Sequence, residues 1–147
     1  IAFPSEENND MFFSIWYGVY NISTRELRYA SGGHPPALLL SGKITGDSEV
    51  TLLRTPNYVI GGMADVTYEK RKCLVSEQDR LYVFSDGVYE VEKPDGSMWK
   101  FQEFADFMNE VKAEGESILD HLHRYAGNLS KSDNFEDDFT IVEVSFI

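Results

Sequence analysis

The chain has 147 residues, enough for one domain around one buried core. With 25 Asp+Glu against 13 Lys+Arg, a net charge of -12, it is strongly acidic, which excludes non-specific nucleic-acid binding and attachment to an anionic membrane surface. Its one cysteine, Cys73, can form neither an internal disulfide nor a thiolate metal cage, and no apolar run reaches the roughly 18 residues of a membrane span.

A reducing, cytoplasmic setting fits this cysteine usage. Ile1-Ala2-Phe3-Pro4 is no signal peptide and has no initiator Met, so the chain reads as cut from something longer. Ser5 to Asp10 reads as a polar loop, and Met11 to Tyr20 is an aromatic-rich run that suits a strand buried on both faces. Asn21 to Arg25 is turn material. Glu26-Leu27-Arg28-Tyr29 alternates as a strand with one wet face, so a hairpin is expected, broken at Gly32-Gly33-His34-Pro35-Pro36. Ala37 to Leu40 is a short strand stopped by Ser41-Gly42. Lys43 to Asp47 is loop, Val50 to Leu53 an edge strand, and Asn57 to Ala64 a flexible stretch. Tyr68 to Val75 and Arg80 to Phe84 are further strands around a Glu77-Gln78-Asp79 turn, and Pro94-Asp95-Gly96 marks a loop.

Helical spacing comes only later. Phe104, Phe107, Met108 and Val111 make one apolar stripe, with Gly115 as the stop. Ser117-Ile118-Leu119-Asp120 has capping-box spacing, and Ile118, Leu122, Tyr125 and Leu129 then share a face. Ser130 to Glu136 is a polar loop. The last strand alternates, with Val142, Val144 and Phe146 on the inner side. Six or so strands, two helices and a closing strand read as an α+β layered domain.

Two acidic strings stand out, Ser85-Asp86-Gly87-Val88 and Asp137-Asp138-Phe139-Thr140, each against a β-prone run. Carboxylates at strand ends present hard oxygen ligands suited to Mg²⁺ or Mn²⁺, and two on neighbouring strands can share one metal. Phosphoryl chemistry follows as the expectation. On an acidic chain a cation would have to reverse the local field before a phosphate could approach.

Set in order, the pieces resemble the C-terminal two-thirds of SpoIIE-like domains, the bacterial branch of the metal-dependent protein phosphatases (PPM, or protein phosphatase 2C-like). Met11-Phe12-Phe13-Ser14-Ile15-Trp16-Tyr17-Gly18-Val19 is similar to the family's aromatic strand. Leu27 to Leu39 resembles its Y-x-N-A-G-H-P-P-x-L-L segment, with Ser31 where Asn is usual and Gly32 where Ala is. Asp79 to Glu90 resembles G-D-x-L-x-x-Y-T-D-G-V-x-E, and Asp137-Asp138-Phe139-Thr140 the closing D-D-x-T. The family's G-G-D-x-x-D motif, whose leading Asp bridges both metals, has no counterpart here. Gly46-Asp47 is the one Gly-Asp pair and lies in the wrong place.

The resemblance implies an α-β-β-α layered sandwich of antiparallel sheets, with residues 1–147 a single, partial phosphatase domain lacking its N-terminal part. It implies two Mn²⁺ or Mg²⁺ ions and hydrolysis of phosphoserine or phosphothreonine on a protein, often an anti-anti-sigma (STAS) regulator. Asp86 and Asp137 would both ligate the second metal, Gly87 would keep the backbone close, and Asp138 would orient the ligands or serve a weaker ion. An upstream sensor domain is implied, and open sheet edges would be covered by dimerising, swapping or pairing with the missing part. The competing expectation is a catalytically inactive phosphatase-like interaction module, because the bridging-Asp motif is absent.

Other residues read as structural. His34, between glycines and a rigid Pro-Pro, could act as a general acid, but a side chain bonded to its own loop is the simpler role. His121 and His123, two apart on a helix, fall on different faces, which argues against a shared metal. Arg25, Arg28, Arg54, Arg71 and Arg124 are candidates for a phosphate clamp among which the sequence does not choose.

Overall fold

The computed structural model describes residues 11–41, 49–63, 65–111, 117–132 and 135–147. The expected loops at 1–10 and 43–47, the stop at Gly115 and part of the 130–136 loop lie outside these residues. The chain divides into two compact units, Ile1–Ala37 with Leu52–Glu77, and Leu38–Thr51 with Gln78–Ile147.

In the first unit β1 (Ile15–Asn21), β2 (Glu26–Gly32) and β5 (Arg71–Leu74) form an antiparallel sheet in the order β1-β2-β5. The β1–β2 hairpin turns through Arg25, at φ 55°, with Thr24 N–H donating to the Asn21 side chain at 3.1 Å. Leu27, Tyr29 and Ser31 are buried on one face of β2, as its alternation predicts. The expectation of a doubly buried first strand is corrected: five of the seven β1 positions are exposed, including Tyr17 at 61% and Val19 at 51%. β1 is an edge strand whose inward residues are Trp16 and Tyr20; Trp16 stacks on Tyr29 and donates from Nε1 to the Leu53 carbonyl at 2.9 Å. Aromatic content marked the strand without marking its burial.

β2 runs one residue further than its glycines suggest and stops at Gly33, whose φ of +65° an L side chain rarely adopts. Residues 57–63 are irregular but tied down. Phe13 and Ile60 exchange backbone hydrogen bonds at 3.0 and 2.9 Å, and the Asn57 side chain bonds both the N–H and the carbonyl of Glu69, at 2.8 Å each. Ser31 and Thr55 form a closed buried network in which the Ser31 N–H donates to Thr55 Oγ1 at 2.8 Å.

The four-stranded sheet has the order β4-β3-β6-β9, formed by β4 (Val50–Leu53), β3 (Ala37–Leu40), β6 (Arg80–Phe84) and β9 (Ile141–Ser145). β4 lies at the sheet's end, as expected. Between β6 and the helices a short hairpin of β7 (Val91–Glu92) and β8 (Met98–Trp99), unanticipated from the sequence, turns at Pro94-Asp95-Gly96. α1 (Phe101–Glu110) and α2 (Ile118–Leu129) follow. Lys100 N–H donates to the Glu103 carboxylate at 2.9 Å before α1, and Ser117 Oγ accepts from Leu119 N–H at 3.2 Å to cap α2.

The core of this unit lies on one face of β3 and β6, where Leu38, Leu40, Tyr82 and Phe84 meet Phe104, Met108, Leu122 and Ala126. Tyr125, expected in the α2 stripe, is 39% exposed and stacks on Phe107 at 4.5 Å; Ala126 takes the core position. Val111 caps α1 instead of continuing it. β9 also departs from expectation. Val142 and Val144 are 53% and 42% exposed, because β9 is the sheet edge, and only Phe146, just past the strand, is buried. Among the described residues the Tyr82 hydroxyl is buried without a partner at hydrogen-bonding geometry, although Glu143 and Arg80 lie beside it; burial first, then Glu143, pushes its pKa well up.

Phe104 is fully buried, and its ring meets those of Phe84, Tyr89, Trp99 and Phe101. Phe104→Ala should therefore cost about 3–5 kcal/mol in urea unfolding, against about 0.5 kcal/mol or less for an exposed control such as Gln102→Ala.

Candidate metal centre

The site begins where β6 ends. β6 and β9 pair antiparallel, with Phe84 opposite Ile141, so the residues after β6 and before β9 emerge at the same end of the sheet. Ser85 joins them: its N–H donates to the Thr140 carbonyl at 2.9 Å, its hydroxyl donates to the Asp138 carbonyl at 2.6 Å, and its Oγ accepts from the Thr140 N–H at 3.1 Å. The chain then turns through a 3-10 segment, Asp86–Val88, in which the Asp86 carbonyl accepts from Tyr89 and Glu90 N–H at 3.0 and 2.9 Å.

Gly87 is buried at this join. A Cβ there would lie 2.6 Å from the Asp138 carbonyl oxygen, so only glycine lets the two backbones approach this closely. Asp86, Gly87, Asp137 and Asp138 are thus brought to one rim, with all three carboxylates exposed. The Asp137 carboxylate already accepts from Asp138 N–H at 2.7 Å, which orients it. His34 belongs to the other unit, and its Nδ1 lies 2.9 Å from the carbonyl of Pro35, its own loop.

Several residues that the motifs did not single out hold the second acidic string. Phe135 and Phe139 flank it and meet at 4.5 Å with their rings tilted by 32°, and both meet the His123 ring, at 5.4 and 5.5 Å. Their i, i+4 spacing around Asp137-Asp138 was a legible sign of such a clamp. A cleft beside Gly87 is lined by Glu90, Glu92, Glu136 and Asp137, with Lys131 bridging Glu92 and Glu136. Tyr89 packs on Phe84 and Phe101; burial, then the carboxylates of Glu90 and Asp86, pushes its phenol up to about 12 and keeps it neutral. Of the arginines considered as phosphate clamps, Arg25 pairs with Glu77, and Arg28 with Glu26 at 2.6 Å. Arg124 lies 3.4 Å from His121.

The donor set is hard oxygen alone, which suits Mg²⁺ or Mn²⁺. Among the described residues no group of three or more His, Cys, Asp or Glu converges on one point, so these carboxylates fit a cation as part of its shell and not as all of it. No helix of the described residues is long and apolar enough to cross a membrane.

Residues 3–147 match the family model described as Stage II sporulation protein E (SpoIIE). The chain is 29% identical over 142 residues to Phosphoserine phosphatase RsbU of Bacillus subtilis, covering 93% of this chain and 40% of RsbU. It is similar in structure to the PP2C phosphatase domain with a fragment of the regulatory domain of SpoIIE from Bacillus subtilis, with a TM-score of 0.71, 21% identity, and 90% of this chain and 37% of that chain covered. The Mn-presoaked phosphatase domain of the same protein gives a TM-score of 0.65 at 20% identity, covering 90% of this chain and 56% of that one. The fold is that of these phosphatase domains. The chain spans well under two-thirds of the length of these relatives.

Gly87→Ala forces the Asp137-Asp138 backbone away, and a cost of about 1–3 kcal/mol in denaturant unfolding is expected. Ser85→Ala leaves the Thr140 N–H and Asp138 carbonyl without their partner, and about 1 kcal/mol is expected. Wild-type stability in both variants would contradict the close approach described.

Proposed function

The chain belongs to the SpoIIE family, and on that premise we propose that it carries part of a metal-dependent phosphatase site hydrolysing phosphoserine or phosphothreonine on a signalling protein. The observation that carries this reading is the convergence of Asp86 and Asp137 across the Gly87 contact, at the end of the β6–β9 ladder.

Asp86 and Asp137 would supply carboxylate oxygens to Mn²⁺ or Mg²⁺, and Asp138, beside them, would orient the ligands. When bound, a pair of such ions supplies Lewis acidity at the phosphoryl group and a hydrolytic water at neutral pH. The chain's own residues contribute placement. Ser85 locks the two backbones, and Phe135 with Phe139 pinches the loop that presents Asp137. Without a cation this rim repels a phosphate, since it is lined by acids on a chain of net charge -12. An anti-anti-sigma regulator is the phosphoprotein class that the family resemblance favours.

The test is turnover of p-nitrophenyl phosphate and of a phosphoserine protein by the full-length protein with Mn²⁺. Asp86→Ala and Asp137→Ala should each lower it by at least about 100-fold, beyond the ~10–100-fold typical of outer partners. Undiminished turnover in both would sink the assignment.

One observation favours a second reading for the 147 residues alone, that of an interaction module without catalysis. Two carboxylates are far short of the roughly six oxygen ligands a hard cation takes. Calorimetry with Mn²⁺ on this chain separates the readings: weak binding at one site or none is expected, and tight binding at two sites would rule the inert module out.

A further inference from the structure

Lys131 follows Ser130, the C-cap of α2. Its N–H donates to the Glu92 carbonyl at 2.9 Å, and its ammonium pairs with the Glu92 carboxylate, so it grips β7 twice. The same ammonium reaches Glu136 Oε1 at 3.3 Å. Glu92 is itself held in the β7–β8 hairpin opposite Met98. One end of this bridge is therefore anchored in a sheet, and the other holds the residue immediately before Asp137.

We propose that Lys131 is a positioning residue that sets Asp137 for metal binding by tying Glu136 to β7. The proposal rests on the reading of Asp86 and Asp137 as metal ligands. Two effects oppose each other here, and they predict opposite signs. By charge alone, an ammonium paired with Glu92 and Glu136, two of the acids that line the cleft beside Asp137, repels an incoming cation, and removing it should tighten Mn²⁺ binding. By placement, removing it frees Glu136 to swing and leaves the cleft's carboxylates to repel one another. Asp137 then has to be ordered at the moment of binding, and affinity falls. Placement prevails because the ammonium is already committed to two carboxylates. Its field on a third charge is largely compensated, and exposed charges are screened by salt.

The experiment compares Lys131→Gln, Lys131→Arg and Asp137→Asn in the full-length protein. Mn²⁺ affinity is measured by calorimetry, and the Mn²⁺ dependence of p-nitrophenyl phosphate turnover is measured beside it. Lys131→Gln should weaken Mn²⁺ binding several-fold, short of the ~10–100-fold loss for a partner bonded directly to a ligand, because Lys131 acts through Glu136. The loss should fall on the Mn²⁺ concentration for half-maximal turnover and not on kcat at saturation. Lys131→Arg, which keeps the charge and the reach, should recover most of the affinity. If Asp137→Asn abolishes binding while Lys131→Gln leaves it unchanged or tighter, the positioning role is overturned and the metal site stands. Should Asp137→Asn bind Mn²⁺ like the unmodified protein, the site reading itself fails, and the role of Lys131 fails with it.

Discussion

The antiparallel ladder between β6 and β9 is the constraint on which the rest of the acidic rim depends. Asp86 and Asp137 lie far apart in sequence, and nothing local brings them together. The register with Phe84 opposite Ile141 does, because it makes the end of one strand and the start of the other coincide. That register is not free to slip. A shift of one residue would turn Tyr82 and Phe84 out of the core and put Leu81 and Val83 in their place. Core packing thus sets the register, the register sets the shared strand ends, and the strand ends set the carboxylates.

The helices contribute at the same point. Phe104 of α1 meets Phe84 edge-on at 4.8 Å, one residue before Ser85 takes up its hydrogen bonds to Asp138 and Thr140. Tyr89 closes the 3-10 turn from the other side, against Phe84 and Phe101. Aromatic contacts of this kind add about 0.5–1.5 kcal/mol each beyond the area they bury. They fix the backbone around Asp86 with neutral groups, and so add no charge to the rim.

The β6 strand, its Asp-Gly turn and the second acidic string were legible because their signals are local: a five-residue apolar run, a turn pair, and a carboxylate pair before an alternating strand. Burial was less legible. Met11 to Tyr20 carries the aromatic content of a core strand, yet β1 is an edge whose alternate residues Ile15, Tyr17 and Val19 face outward. Val142 and Val144 alternate as a buried face would, but β9 has a neighbour on one side only. Which strand ends up at an edge depends on the order of strands in the sheet, and that is a long-range property that periodicity does not carry. The β7–β8 hairpin was missed for another reason, since strands of two residues are too short for a pattern to show. The clamp around Asp137 was half visible. The spacing of Phe135 and Phe139 could be read, but their meeting with His123 depends on where α2 lies.

Charge explains why neutral contacts do most of the positioning. Gathering like charges at one rim opposes the fold, though only weakly where the carboxylates are exposed and screened by solvent. A net hydrogen bond contributes about 0.5–1.5 kcal/mol, so the Ser85 bonds together with the tilted Phe135–Phe139 contact outweigh so screened a repulsion. Further acids need a cation. Lys131 is one, placed where Glu92 and Glu136 converge, and among the described residues its ammonium pairs with those two acids and not with Asp86 or Asp137. The remaining repulsion is what a divalent cation would relieve, so its binding and the ordering of the rim are coupled. On the proposed reading, the same carboxylates that oppose one another at the rim would be the source of its affinity for metal.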